Sequence, residues 1–298
     1  MKIAVLTGGG ADGAFTVGRL ETLNKDYDKA IGSSTGSLAS VLTLLKDWDK
    51  LGDAYENTET KDITEKSAFS KDGSINIRKV ITRTIRSYGK RQPKTVGESK
   101  ALRKRINTFV SEADYNRLRE QEKEAIVTCF SMTTESVSHF SSLTEKFEDF
   151  KDWMWASANP PIVFSLLKKA KVEGGNIEEW VDGGVGSITP ISLAVLSGAS
   201  EVDVFMHQPK PEHHFKKSIK NVPHFISRLF KSYYKINEVK ELEAGLELAK
   251  LLNVNVNVYW MPQEYYDNSL IFGKEKMKNL RQKGREHAYD CIDNYNFR

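Results

Sequence analysis

The chain has 298 residues, with 44 lysines and arginines against 40 aspartates and glutamates and a formal net charge of +4. So even a balance gives no ground for a nucleic-acid partner, and a hydrophobic share of 39% excludes a disordered chain. No apolar run approaches a bilayer span, and Cys129 and Cys291 give neither a disulfide framework nor zinc spacing, so both read as reduced core residues in a cytosolic protein.

Residues 1–7 read as a short buried strand with no secretory hydrophobic segment ahead of it, so a cytoplasmic location is expected. The strand runs into Gly8-Gly9-Gly10-Ala11-Asp12-Gly13. Successive glycines let backbone N–H groups converge on one point, an anion nest. The same residues spell Gly-x-Gly-x-x-Gly, the pattern of a dinucleotide-binding loop. That alternative wants an acidic residue at the end of a second strand, whereas Asp26 and Asp28 precede the apolar pair Ala30-Ile31.

Directly after that pair comes Gly32-Ser33-Ser34-Thr35-Gly36, which opens the helical run of residues 37–45. A Gly-x-Ser-x-Gly turn between strand and helix exposes the central hydroxyl at a helix N-terminus, where N–H groups favour developing negative charge. Ser34 is therefore the candidate nucleophile; the plain alternative is a polar turn capping a helix. Residues 46–125 look mostly helical and charged, broken at Lys71-Asp72-Gly73 and Gln92-Pro93, and read as a cap or insertion packed on a sheet. From Arg78 to Arg105 eleven lysines and arginines face one acid, Glu98, which suits a solvated helix face or contact with anionic lipid.

Residues 124–131 and 136–140 read as neighbouring strands. Val181-Asp182-Gly183-Gly184 suggests a tight turn presenting a carboxylate; Asp182 is either a general base for Ser34 or an ordinary turn aspartate. A further strand is expected at 201–206. Val222, Phe225, Ile226, Leu229, Phe230 and Tyr233 then form an apolar stripe at helical spacing among basic residues, which suits a membrane surface, a core face or a wall of an acyl pocket. Residues 253–260 alternate cleanly, predicting a strand at a sheet edge or facing a pocket, and residues 273–289 predict a terminal helix. No repeat or linker divides the chain, so one domain over 1–298 is expected.

Taken in order, these blocks resemble the patatin-like phospholipases, lipid acyl hydrolases built on a serine–aspartate dyad. Gly8-Gly9-Gly10-Ala11-Asp12-Gly13 looks like the family's oxyanion loop, Gly32-Ser33-Ser34-Thr35-Gly36 like its nucleophile elbow, and Asp182-Gly183-Gly184 like its aspartate-glycine motif. Ala156-Ser157-Ala158-Asn159-Pro160-Pro161-Ile162-Val163-Phe164 is similar to the block before the dyad aspartate, and Thr189-Pro190-Ile191-Ser192-Leu193-Ala194 to the continuation after it. One departure is Asp12, which stands where the family's loop carries arginine or lysine. A carboxylate facing inward there opposes an oxyanion, while one facing solvent or paired with Arg19 does not.

The resemblance implies a three-layer α/β/α fold with a mostly parallel central sheet and a helical insertion at about 46–125. It implies acyl transfer, with Ser34 attacking an ester carbonyl, Asp182 accepting its proton and the amides of Gly8, Gly9 and Gly10 holding the oxyanion. A carboxylate must be desolvated to act as such a base, so a raised pKa is expected at Asp182. The six histidines lack supporting motifs and no metal or cofactor is expected. The expected substrate is a phospholipid or lysophospholipid met at a membrane surface by a peripheral protein. The alternatives are a weak or inactive lipid-binding protein on the same fold and, further off, a dinucleotide-binding protein.

Overall fold

Strand β1 (Lys2–Leu6) is buried on both faces, and its side chains alternate between two separate apolar cores. Ala4 and Leu6 enter one core while Ile3 and Val5 enter the other, as the two-residue period of a strand requires. A strand of this kind must lie mid-sheet with helices on both sides. The computed structural model describes residues 1–63, 99–161, 166–211, 218–219, 222–266 and 272–297, and in it β1 is central.

The remaining strands are β2 (Lys29–Ser33), β3 (Glu124–Ser131), β4 (Ser136–Ser141), β5 (Leu167–Ala170), β6 (Ile177–Asp182), β7 (Glu201–Phe205), β8 (Asn255–Tyr259) and β9 (Ile292–Tyr295). Their order is β5-β6-β3-β2-β1-β7-β8-β9, with β4 also paired to β3. The run β3-β2-β1-β7-β8 is parallel; β4, β5, β6 and β9 join antiparallel.

The described helices are α1 (Gly13–Leu23), α2 (Thr35–Leu44), α3 (Trp48–Glu56), α4 (Thr60–Ile63), α5 (Lys100–Phe109), α6 (Glu112–Glu120), α7 (Phe147–Ser157), α8 (Ile191–Leu196), α9 (Val222–Leu251) and α10 (Lys274–Glu286). Apolar faces of α1, α2, α3, α5, α6, α7 and α10 build the core on one side of the sheet, and α8 with the C-terminal half of α9 builds the other. The expected α/β/α arrangement with a mostly parallel sheet is thus observed. Helices α3 to α6 occupy the described part of 46–125. The expected breaks at 71–73 and 92–93, and most of the basic run beginning at Arg78, lie outside the described residues.

Two expectations need correction. Strand β8 is not at an edge, because β9 pairs along its outer side. Its polar alternation has a different cause: Asn257 Nδ2 donates to Asp203 Oδ1 on β7 at 2.7 Å, in a cluster where Asp203 also accepts from Lys25 and Tyr27. Cys291 is exposed, not in the core, and only Cys129 is buried. The tight turn expected at Asp182 is present as Gly183–Val185, and the antiparallel pair β5 and β6, which the sequence reading did not include, carries Asp182 into the sheet.

Helix α7 packs across β3, β4 and β6. Phe150, Trp153 and Met154 face the core, and the helix ends just before Pro160, which cannot continue it. Trp153 is fully buried, stacked on Phe140 with ring centroids 3.7 Å apart and edge-on to Trp180 at 5.4 Å. Trp153→Ala is expected to destabilise the fold by about 3–5 kcal/mol, because the cavity left between β4, β6 and α7 cannot fully collapse. A loss below about 1 kcal/mol in guanidinium unfolding would contradict this packing.

Candidate active site

Strand β2 ends at Ser33 and helix α2 begins at Thr35, so Ser34 alone makes the turn, with φ of 54° and ψ of −127°. A side chain rarely adopts that backbone conformation, which costs roughly 1–3 kcal/mol and persists only where neighbours fix it. The neighbours are close. A Cβ on Gly36 would lie 2.0 Å from the Leu6 carbonyl oxygen, so only glycine lets α2 start this near β1. Ser37 Oγ donates to the Ser34 carbonyl at 2.6 Å, and the Ser34 N–H donates to Ser157 Oγ at 3.0 Å.

The sheet brings the second residue to the same point. Strand β3 pairs with β4 along Ile126–Ser131 on one edge. Its other edge is divided: β2 pairs as far as Ser33 opposite Thr128, and β6 takes over with Asp182 opposite Cys129. The end of β2 and the end of β6 therefore meet head to head. Across that junction Ser34 Oγ donates to Asp182 Oδ2 at 2.7 Å, and the Gly184 N–H donates to Asp182 Oδ1 at 2.8 Å. Asp182 is buried, with 3% of its surface exposed, and burial pushes its pKa up to about 7 against the pull of those two hydrogen bonds.

The glycine loop lies beside this pair. A Cβ on Gly8 would fall 2.8 Å from Ser34 Cβ, so the loop and the elbow are in direct contact. Gly10 takes a positive φ of 54°, and Gly10–Asp12 forms a single tight turn leading into α1. Asp12 is fully buried, which removes the solvent-facing alternative. The Arg19 guanidinium donates to the carbonyls of Trp260, His287 and Asp290. Tyr266 lies within the field of Asp12: burial, then Asp12 and Glu238, push its hydroxyl up to about 12.

The histidines described bond elsewhere. His139 meets Thr128 Oγ1, His287 lies between Asp290 and Tyr265, and His207 Nδ1 meets Thr7 Oγ1 at 3.1 Å. Burial holds His207 down at about 4, so it is a neutral ring behind the glycine loop. His213 and His214, and the side chain of His224, lie outside the described residues. Among the described residues no group of three or more His, Cys, Asp or Glu could hold a metal.

Sequence reasoning missed the supports of this pair. The Asp182 N–H donates to the Asn159 carbonyl at 3.0 Å, and Glu241 of α9 accepts from the N–H groups of Ile188 and Thr189. Tyr234 of α9 is the ring a Cβ on Gly184 would meet at 3.2 Å; burial first and then the Asp182 charge push its hydroxyl up. Ser157 belongs to a block whose pattern was legible, but nothing in the sequence pairs it with Ser34.

The sequence from residue 4 to residue 195 matches the family model described as patatin-like phospholipase. No curated protein matches the chain. The crystal structure of VipD from Legionella pneumophila aligns over 99% of this chain and 68% of that one, at 12% identity and a TM-score of 0.37. The family match takes in the glycine loop, Ser34 and Asp182 and runs over more than half of the 298 residues, so the chain belongs to the patatin-like phospholipases, a family of lipid acyl hydrolases.

Proposed function

We propose that this protein hydrolyses carboxylic esters of phospholipids or lysophospholipids, with Ser34 as nucleophile, Asp182 as general base and the amides of Gly8, Gly9 and Gly10 as oxyanion hole. The observation that carries this is the 2.7 Å hydrogen bond from a strained, elbow-borne serine hydroxyl to a buried carboxylate. Ser34 Oγ forms a bond to the ester carbonyl carbon as its proton passes to Asp182 Oδ2. The carbonyl oxygen becomes an anion held by the glycine loop and the positive end of α2. Its collapse expels the alcohol, which takes the proton from Asp182. Water then repeats the sequence on the acyl-serine and releases the fatty acid.

The base works as carboxylate, and its pKa of about 7 sets the pH dependence. Below that value Asp182 holds a proton and cannot accept another, so kcat/KM is expected to rise with pH through about 7 and level off above it. Ser34→Ala and Asp182→Asn should each cost about a thousandfold or more on a short-chain p-nitrophenyl ester and on phospholipid vesicles. Wild-type turnover that survives Ser34→Ala, or a profile flat from about pH 5 to about pH 9, would refute the assignment.

The substrate class is supported by α9. Phe225, Leu229, Tyr233 and Ile236 are all exposed and fall on one ridge at helical spacing, with Tyr233 Oη donating to the Val185 carbonyl beside the dyad loop. Exposure rules out a core-facing role for these four; the side chains of Val222, Ile226 and Phe230 lie outside the described residues. No helix among the described residues is long and apolar enough to cross a membrane. The ridge suits a peripheral, cytoplasmic protein that lays α9 on a lipid surface. Phe225→Ser with Leu229→Ser is expected to lower sedimentation with phospholipid vesicles at least about tenfold, from the apolar area no longer buried. Unchanged vesicle binding would remove α9 as the contact.

Buried Asp12 favours a second possibility, a lipid-binding protein of low turnover on the same fold. Asp12→Asn keeps the shape and removes the charge next to the glycine loop. If that charge opposes the oxyanion, kcat on the soluble ester rises about tenfold with KM held. An unchanged kcat would clear Asp12 of that role.

A further inference from the structure

The end of β2 leaves two backbone groups that the sheet no longer serves. Ser33 is the last residue of β2 paired with β3, opposite Thr128. The next N–H, that of Ser34, turns out of the ladder, and the Thr128 carbonyl remains on the other strand. One side chain joins them. Ser157 Oγ accepts from the Ser34 N–H at 3.0 Å and donates to the Thr128 carbonyl at 2.6 Å. Ser157 is fully buried on the last turn of α7, and its single proton and one acceptor site are both used.

Two residues on, the same segment holds the other partner. The Asn159 carbonyl accepts the Asp182 N–H at 3.0 Å, and Asn159 Nδ2 donates back to the Trp155 carbonyl at 2.6 Å. The C-terminal end of α7 therefore grips Ser34 through a side chain and Asp182 through the main chain. Crowding keeps the grip in register: a Cβ on Gly183 would lie 2.2 Å from the Thr128 carbonyl oxygen and 2.9 Å from Ser33 Oγ.

We propose that Ser157 is a positioning residue whose hydroxyl, by bridging the Ser34 N–H and the Thr128 carbonyl, holds the nucleophile in its positive-φ conformation and so keeps Oγ aimed at Asp182. This rests on Ser34 and Asp182 being the reacting pair. Ser157 does not touch the reacting atoms; it acts through the backbone of Ser34. Without it the Ser34 N–H loses its acceptor, and the strained φ of 54° loses the bond that offsets its cost. The Oγ position then spreads over conformers that miss the carboxylate. A displacement of about 1 Å at a reacting centre costs up to about a hundredfold in rate.

The test measures labelling of Ser34 by an alkyl fluorophosphonate, followed by intact mass, beside hydrolysis of a soluble p-nitrophenyl ester across pH. Ser157→Ala should lower both the labelling rate and kcat about tenfold to a hundredfold, with KM within about twofold. The pH midpoint near 7 should stay where it is while the plateau falls, because Asp182 keeps its burial and both donors. Ser40→Ala is the control. It removes a buried hydroxyl that donates to the Ser37 carbonyl within α2, and should lose comparable thermal stability with full labelling. Ser157→Cys keeps the size with a weaker acceptor, should fall between serine and alanine, and carries the test if Ser157→Ala does not fold.

Folded Ser157→Ala that labels at the wild-type rate would overturn the proposal, as would a shifted pH midpoint or an equal loss in Ser40→Ala. Wild-type protein that neither labels at Ser34 nor hydrolyses the ester would instead sink the dyad assignment, and this proposal with it.

Discussion

The free edge of β3 is shared between two strands, and the candidate site exists where one hands over to the other. β2 occupies the edge from Glu124 to Thr128 and β6 occupies it from Cys129 to Ser131. Because the two run in opposite directions relative to β3, both end at the same point. The chain must leave the sheet there twice, once through Ser34 and once through Asp182-Gly183. Neither departure has hydrogen-bond partners from the ladder, so each is completed by local groups: Ser157 and Ser37 for the elbow, and Asn159 and Gly184 for the aspartate. Buried backbone groups must be satisfied somewhere. At this junction the groups that satisfy them also fix the two side chains relative to each other.

Helix α9 joins that junction to the protein surface. Its C-terminal half is ordinary core, with Leu242 and Ala249 buried against β7, β8 and α8. Further toward the N-terminus Glu241 receives two backbone N–H groups from the segment after Asp182, Glu238 accepts from Gln208, and Tyr234 covers Gly184. Burial raises the pKa of both glutamates, Glu238 to about 8. The opposite face of the helix, from these turns toward its N-terminus, carries Phe225, Leu229, Tyr233 and Ile236, all exposed. One helix thus packs against the loop after Asp182 on one face and offers an apolar ridge on the other.

What could be read from the sequence was local. The glycine loop, the elbow and the parallel strands are each encoded in a few consecutive residues, because a strand buried on both faces is simply apolar and a tight turn needs glycine where backbones meet. The juxtaposition of Ser34 with Asp182 was legible only through the order of motifs, since 148 residues separate them and spacing carries no distance. Ser157 stayed hidden for the same reason: a serine at a helix C-terminus is ordinary until the strand end it faces is known. The β8 expectation failed because alternation reports polarity on one face, and β7 supplies a polar neighbour, Asp203, as readily as solvent does. Short, polar β9 lacks the apolar run by which strands are recognised, so the true edge was missed.

A dyad without histidine must make a base out of a carboxylate, which in water has a pKa near 4 and binds protons too weakly to deprotonate an alcohol usefully at neutral pH. Burial supplies the difference, but it also makes the charged form costly, and every added hydrogen bond gives part of the gain back. Asp182 accepts one bond from Ser34, the proposed nucleophile, and one from Gly184, enough to orient both oxygens while leaving the pKa at about 7. A third donor would hold the carboxylate more firmly and weaken it as a base. His207, buried behind the glycine loop and held down at about 4, stays neutral and so adds no positive charge there. The support of the pair is correspondingly indirect. Ser157 and Asn159 act on the main chain of Ser34 and Asp182, which fixes geometry without touching the oxygens whose basicity the chemistry needs.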